Sequence, residues 1–110
     1  MKIYFLDDTP IFLHQYKVIF QDCKTFSNFN DAMLAVHEDP PDIFVCDLVM
    51  PDVDGWMVVD AINELYPNIK IIIATSMSGP EQKQYAELKG YRFWCKSGPI
   101  SLKRFISETK

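Results

Sequence analysis

Residues 43–55 have the sequence IFVCDLVMPDVDG, in which an apolar run gives way to a polar stretch rich in aspartate. Ile43 to Cys46 form an uninterrupted apolar run, which is typical of a strand covered on both faces in a parallel sheet. After the polar stretch from Asp47 to Gly55, apolar residues recur at helical spacing. This segment therefore predicts a buried strand, a loop and a helix, which together are the repeating unit of α/β folds.

The same alternation of apolar runs and helical segments continues along the whole chain. Thr9 with Pro10 and, later, Asn28 are typical helix starts. Gly90 is typical of a helix end. Each segment between two strands is long enough for a crossover helix, so we expect one α/β domain over residues 1–110, with a parallel sheet and helices on both faces. The predicted strands are residues 2–6, 23–27, 43–46, 69–74 and 91–95.

The spacing of apolar residues also predicts which side of each helix faces the sheet. The last helix is expected from Pro99 to the C-terminus. The inward-facing residues are Ile11, Phe12, Tyr16, Ile19 and Phe20 in the first helix, Trp56, Met57, Val59, Ile62 and Leu65 in the third, and Leu102, Phe105 and Ile106 in the last.

The chain has 110 residues and a formal net charge of −4, and its basic residues are scattered. An acidic chain does not favour direct contact with nucleic acid, which rewards clustered Lys and Arg. No apolar run reaches the ~18 residues of a membrane span, and the short run after Met1 does not resemble a secretory signal. We therefore expect a cytoplasmic protein with no membrane or nucleic-acid partner.

The cysteines Cys23, Cys46 and Cys95 have no metal-ligand spacing, and we expect them to be buried, because free cysteine behaves as a small hydrophobe. His14 and His37 fall in separate predicted helices, and we expect both at the surface.

Polar residues follow four of the five predicted strands. Asp7 and Asp8 end the first strand, Asp47 the third, Thr75 the fourth and Lys96 the fifth. Ligands of open parallel sheets bind outside the carboxyl ends of the strands, so function is expected in these loops. Carboxylates brought together need a cation, and a few carboxylates completed by water suit Mg²⁺.

This set of residue types predicts a phosphoryl site. Asp47 stands alone at the end of the central strand and is the expected nucleophile, whereas Asp7 and Asp8 suit metal ligation. Mg²⁺ and Lys96 would neutralise developing charge, and the Thr75 hydroxyl would donate a hydrogen bond. The sequence has neither GxGxxG nor GxxxxGK[ST], so it gives no support for a nucleotide-binding enzyme.

With these residues, the whole chain resembles the receiver domain of two-component response regulators. The specific part is the DxxxPxxDG pattern from Asp47 to Gly55, which is joined by the acidic pair, the threonine and the lysine at successive strand ends. The resemblance implies a flavodoxin-like (βα)5 fold, a doubly wound parallel sheet with strand order 2-1-3-4-5. It also implies Mg²⁺ held by Asp8, Asp47 and the backbone carbonyl of Val49, with Asp7 acting largely through bound water.

The resemblance further implies a phosphorylation-dependent signalling switch rather than a turnover enzyme. A sensor histidine kinase or histidine phosphotransfer protein would phosphorylate Asp47 in a phosphorelay. Thr75 and Lys96 would contact the phosphoryl group, and Phe93 would swing inward on activation. The face formed by residues 80–110 would then control a downstream effector, and a phosphorylation-linked homodimer is compatible with this scheme.

Two features bear on how such a switch would work. The family usually has proline after the strand-five lysine, but here Ser97 follows Lys96, so we expect a trans bond and a reshaped loop. The positions that tune phosphoryl loss in the family are occupied by the apolar Val49 and Met77. Neither side chain can orient an attacking water, so we expect a long-lived phosphorylated state.

Two alternatives remain open at this point. The missing proline after Lys96 is compatible with a receiver-like interaction module that works without phosphorylation. A small Mg²⁺-dependent phosphatase or phosphotransferase with an aspartyl nucleophile is the other, although 110 residues offer no substrate pocket beyond the strand-end loops.

Overall fold

A computed structural model describes residues 1–51, 53–76, 80–96 and 101–109. Five strands form one parallel sheet in the order β2-β1-β3-β4-β5, and helices connect them. The predicted fold class and strand order are therefore confirmed, and each strand lies within one residue of its predicted bounds. The elements are β1 (Ile3–Leu6), α1 (Pro10–Ile19), β2 (Lys24–Phe26), α2 (Phe29–Glu38), β3 (Ile43–Asp47), α3 (Gly55–Leu65), β4 (Lys70–Thr75), α4 (Pro80–Lys89), β5 (Arg92–Cys95) and α5 (Leu102–Ser107).

Alternate residues of the central strands supply two separate cores, one on each face of the sheet. Tyr4 and Leu6 of β1 face the layer formed by α2, α3 and α4. Ile3 and Phe5 face the layer formed by α1 and α5. This alternation follows from the period of two in a strand, and covering both faces explains why β1 and β3 contain almost no polar residue before their ends.

The helix ends largely follow the predicted signals. The Asn28 side chain accepts a hydrogen bond of 2.9 Å from the Asp31 backbone N–H and so caps α2. Gly90 has a φ of +80°, and the N–H of Tyr91 beyond it donates to the carbonyl of Ala86, as expected at a glycine C-terminus. Thr9 occupies the N-cap position of α1, but its side chain makes no capping bond.

The predicted inward faces of α1 and α3 are wrong in part. Ile11 is 63% exposed and Met57 is 69% exposed, and Ile19 and Leu65 also face solvent. Leu13 packs instead in the core on the face covered by α1 and α5, and Val58 of α3 is buried. Helical spacing identifies an apolar stripe but not its edges, and both helices have apolar residues all round. In α5 the prediction is confirmed, because Leu102, Phe105 and Ile106 are all buried.

The remaining expectations concern cysteines, histidines and the last helix. Cys23 and Cys46 are buried, Cys95 is partly exposed, and none forms a disulfide. His14 and His37 are exposed, as expected. Helix α5 runs from Leu102 to Ser107 with Ser101 as its N-cap, and Pro99, where the sequence predicted the start of the last helix, lies outside the described residues. No helix in the described ranges combines the length and apolar character needed to cross a bilayer.

Candidate functional site

The sheet brings the predicted site residues to one edge. Asp7 and Asp8 follow β1, Asp47 ends β3, Thr75 ends β4 and Lys96 follows β5. The register of the parallel strands explains this placement, because Leu6 pairs with Cys46, Asp47 with Ala74, and Thr75 with Cys95. The carboxyl ends of four strands therefore meet where the sequence predicted the chemistry.

The three carboxylates form one cluster. One oxygen from each of Asp7, Asp8 and Asp47 lies within 4.8 Å of the other two. Asp7 is 1% exposed and Asp47 is 7% exposed, whereas Asp8 lies nearer the solvent. Oxygen donors grouped in this way, with one side open to water, fit a Mg²⁺ ion that keeps several water ligands. These residues therefore fit the metal that the sequence predicted.

The Lys96 ammonium contacts two of the three carboxylates of the acidic cluster. Its Nζ is 2.7 Å from Asp7 Oδ2 and 3.5 Å from Asp47 Oδ1, and the lysine side chain is only 5% exposed. A buried positive charge between two buried carboxylates offsets part of their mutual repulsion. The amine thus reaches the site although Ser97 follows it. Ser97 and its peptide bond lie outside the described residues.

The Asp47 carboxyl has a perturbed acidity. Burial raises its pKa from the usual value of 3.8 to about 6, and the negative charge of Asp7 adds to the rise. The Lys96 ammonium and the backbone N–H of Val49 oppose this shift without cancelling it. Before any cation binds, Asp47 is therefore held in an environment that disfavours its charge, which is an arrangement common at functional sites.

The loop after Asp47 is shaped by Asp54 and Gly55. Val49 and Asp54 form an isolated antiparallel bridge, and the Gly55 N–H donates to the Leu48 carbonyl at 3.3 Å. The Asp54 side chain accepts from the Trp56 N–H at 3.0 Å and caps α3. The aspartate and glycine that end the sequence pattern therefore close the loop next to the carboxylate cluster.

Three other predicted residues lie in or beside the site. Thr75 is buried, and its carbonyl accepts a 2.8 Å hydrogen bond from the Lys96 N–H. The Val49 side chain is exposed. Phe93 is half-buried against the core formed with α2, α3 and α4. Their predicted roles in phosphoryl contact, metal ligation and activation stay predictions, and Met77 lies outside the described residues.

Sequence reasoning missed the site contacts of two aromatic residues of α1. Phe12 and Tyr16 were predicted to be core residues, but the Phe12 ring also lies over the Lys96 ammonium and the Tyr16 hydroxyl reaches Asp7. The sequence signal for these contacts was a pair of aromatic residues, one helical turn apart, in the helix that follows the acidic pair.

Two cavities differ in their relation to the carboxylates. A cavity of about 330 Å³ borders Asp8 and lies between the loops after β2 and β3. A larger cavity of about 760 Å³ is lined by Pro40, Ile69 and Lys70 among others, at the amino ends of the strands. The larger space is therefore at the opposite end of the sheet from the carboxylates and does not offer them a substrate pocket.

Comparison with known proteins identifies related sequences. A family model described as "Response regulator receiver domain" matches residues 3–98. The DNA-binding transcriptional regulator NtrC of Proteus hauseri is 38% identical over 56 residues, which are 51% of this chain and 12% of that protein. The sensor histidine kinase RcsC of Escherichia coli strain K12 is 29% identical over 106 residues, which are 93% of this chain and 11% of that protein. The matched part of this chain thus spans about an eighth or less of the length of either relative.

Solved structures share the fold. The chemotaxis protein CheY4 of Vibrio cholerae superposes with a TM-score of 0.83 at 21% sequence identity, covering 97% of this chain and 93% of that one. At this identity the likeness is informative about architecture alone, and it agrees with the strand order described above.

Proposed function

Since this chain belongs to the response regulator receiver domain family, we propose that it is a phosphorylation-dependent signalling switch whose phosphoryl acceptor is Asp47. The donor would be a phosphohistidine of a sensor histidine kinase or of a histidine phosphotransfer protein. The observation that carries the proposal is the cluster of Asp7, Asp8 and Asp47, two of which, Asp7 and Asp47, contact the Lys96 ammonium. Such a cluster can hold a divalent cation and a phosphoryl group side by side.

The chemistry follows from the acceptor's surroundings. An Asp47 carboxylate oxygen attacks phosphorus, a P–O bond forms, and the P–N bond to the donor imidazole breaks. The electron pair of that bond leaves with the imidazole nitrogen, which takes a proton from solvent. Mg²⁺ held by Asp8, Asp47 and the Val49 carbonyl, with Asp7 acting through water, would supply charge neutralisation for the phosphoryl oxygens.

Two protein groups would act directly on the transferred group. Lys96 already lies 3.5 Å from Asp47 Oδ1, so its ammonium can reach a phosphoryl oxygen with a small shift. Thr75 ends the strand next to Asp47, and its hydroxyl is the expected hydrogen-bond donor. Since the proposed product is the phosphorylated Asp47 itself, the protein would act as a switch and not as a turnover enzyme.

The signal would leave through the face formed by residues 80–110, which includes α4, β5 and α5. Lys96 joins this face to the acidic cluster, because it directly follows β5. Phe93 lies three residues earlier in β5 and is the expected side chain to change position. A downstream effector, or a second copy of the chain, would bind this face after phosphorylation.

The proposal is tested by intact mass after incubation with Mg²⁺ and phosphoramidate, a small donor whose P–N bond resembles that of phosphohistidine. We expect the mass of one phosphoryl group to be gained, and the gain to be lost with EDTA or in Asp47→Ala. Asp42→Ala is the matched control, because Asp42 is an exposed aspartate just before β3, at its opposite end. It should be phosphorylated like the wild type.

The alternatives predict different outcomes. An unchanged mass in the wild type would contradict the proposal and favour an interaction module that works without phosphorylation. Repeated hydrolysis of a phosphorylated metabolite would favour a phosphatase or phosphotransferase.

A further inference from the structure

Two aromatic residues of α1 contact the two members of the Lys96–Asp7 ion pair. The centroid of the Phe12 ring lies 4.2 Å from Lys96 Nζ. The Tyr16 hydroxyl donates to Asp7 Oδ2 at 3.4 Å, and this is the same oxygen that Lys96 Nζ contacts at 2.7 Å. Phe12 and Tyr16 are one helical turn apart, so one side of α1 carries both contacts.

The switch proposed above requires Lys96 to change partner. Its ammonium now contacts Asp7 more closely than Asp47, and it must turn toward the phosphoryl group once Asp47 is modified. Both the lysine and Asp7 are almost fully buried. A buried charge that loses a partner is destabilised, so once Lys96 moves, Asp7 Oδ2 depends on its other contacts, of which the Tyr16 hydroxyl is the one supplied by α1.

An aromatic face suits a cation that has to move. A hydrogen bond weakens steeply when its length or angle changes. A cation–π attraction persists over several ångströms around the ring centre and is stronger when the pair is shielded from water. Phe12 can therefore keep its contact with the Lys96 ammonium while that ammonium moves between Asp7 and the phosphoryl group.

Tyr16 is held firmly enough to serve the oxygen that Lys96 leaves. Its ring is 3% exposed and stacks on Phe5, with 4.3 Å between the ring centroids and 14° between the planes. This packing fixes the direction of the hydroxyl. When Lys96 turns away, the Tyr16 hydroxyl remains as a donor to Asp7 Oδ2.

We propose that Phe12 and Tyr16 are positioning residues that allow Lys96 to pass from Asp7 to the phosphoryl group on Asp47. Phe12 supports the ammonium throughout the shift, and Tyr16 keeps Asp7 paired after it. The inference rests on the proposed function, and its tests below separate the two.

The Phe12 contact is tested with three variants. Phe12→Leu removes the aromatic face, Phe12→Tyr restores it, and Phe20→Leu is the matched control. Phe20 packs in the same core, with 5.6 Å between its ring centroid and that of Phe5, whereas the ring over the Lys96 ammonium is that of Phe12. We expect the rate of phosphoryl acceptance from phosphoramidate at saturating Mg²⁺ to fall about three- to thirty-fold in Phe12→Leu.

The other two variants decide what that loss means. Phe12→Tyr and Phe20→Leu should react near the wild-type rate. Equal slowing in Phe12→Leu and Phe20→Leu would indicate a general loss of packing and would overturn the proposal. Failure of Phe12→Tyr to restore the rate would also overturn it.

A spectroscopic readout separates this inference from the proposed function. A ring face above the lysine should shift the Lys96 side-chain proton resonances upfield in the wild type and in Phe12→Tyr, but not in Phe12→Leu. This shift requires no phosphorylation. If the wild type shows the shift but never gains a phosphoryl group, the proposed function fails while the contact stands. If the wild type shows no shift, the inference fails by itself.

Tyr16→Phe tests the second contact, because it keeps the ring stacked on Phe5 and removes only the hydroxyl. We expect its unphosphorylated form to lose little stability, since Lys96 still pairs with Asp7. With Mg²⁺ and beryllium fluoride, a mimic of the phosphoryl group, the rise in melting temperature should be smaller than in the wild type. An equal rise in both proteins would overturn the role of Tyr16.

Discussion

A side chain at Gly55 would collide with the backbone of Asp47. An ideal Cβ at position 55 would lie 2.5 Å from the Asp47 carbonyl oxygen, and it would also come within 3 Å of two backbone atoms of Leu48. Backbone cannot yield as the tip of a side chain can. The first residue of α3 must therefore be glycine if the loop after the proposed acceptor is to close as it does.

Gly55→Ala should accordingly weaken both the fold and the site. We expect the free energy of unfolding to fall by about 1–3 kcal/mol, the usual range for overpacking, and Mg²⁺ binding to weaken because the loop carrying Val49 is displaced. Urea denaturation and calorimetric Mg²⁺ titration measure the two effects. Gly90→Ala is the control: a Cβ there meets nothing within 4 Å, but φ is +80°. Backbone strain alone should lower the free energy of unfolding of Gly90→Ala by ~1 kcal/mol and leave Mg²⁺ binding unchanged.

Asp47→Asn should stabilise the metal-free protein at neutral pH. The folded state raises the pKa of Asp47 from 3.8 to about 6, so between these values the folded state binds more protons than the unfolded state. Stability is therefore lost as pH rises through that window, and at pH 7 the charged Asp47 destabilises the fold. In EDTA we expect the variant to be more stable by on the order of 2 kcal/mol at pH 7.

The same comparison at low pH provides the control. Near pH 4 the wild-type carboxyl is largely protonated in the fold, so the advantage of Asp47→Asn should shrink. A difference in unfolding free energy that stays constant from pH 4 to pH 7 would contradict the raised pKa.

Asp8→Asn should remove the stabilisation that Mg²⁺ gives. A ligand that binds only the folded state raises stability with its concentration, so the wild-type melting temperature should climb as Mg²⁺ is added. Without the Asp8 carboxylate the cluster loses a charged oxygen ligand, and we expect the melting temperature to rise less as Mg²⁺ is added. Asp31→Asn, on the exposed first turn of α2, should respond like the wild type. Equal climbs in Asp8→Asn and the wild type would exclude Asp8 as a ligand.

Val49→Asn should shorten the life of the phosphorylated state. The Val49 side chain is 57% exposed and two residues beyond Asp47, so a polar replacement there can orient a water toward the phosphoryl group while the apolar side chain cannot. We expect decay several-fold faster than in the wild type, measured by intact mass after removal of the donor. Val18→Asn, an exposed valine on α1, is the control. Equal decay in Val49→Asn and the wild type would contradict the prediction.

The sequence predicted the edge of the sheet better than the helix surfaces. Asp47, Thr75 and Lys96 were placed correctly because a parallel sheet forces the carboxyl ends of its strands together, whatever the details of packing. Ile11 and Met57 were misplaced because an apolar residue at the margin of a helical stripe can face either the core or solvent, and the way the helix packs on the sheet decides which. The packing of α1 also brings the Phe12 ring over Lys96, a contact that the spacing of residues along the chain does not predict.

The ion pair between Lys96 and Asp7 joins residues 89 positions apart. The three carboxylates of the cluster are therefore synthesised well before its countercharge, since Asp7, Asp8 and Asp47 all precede Lys96 along the chain. A nascent or prematurely terminated chain that ends before Lys96 carries the carboxylates without the ammonium that pairs with Asp7 and Asp47. By this order of synthesis, the proposed phosphoryl site is complete only after β5 and Lys96 have been made.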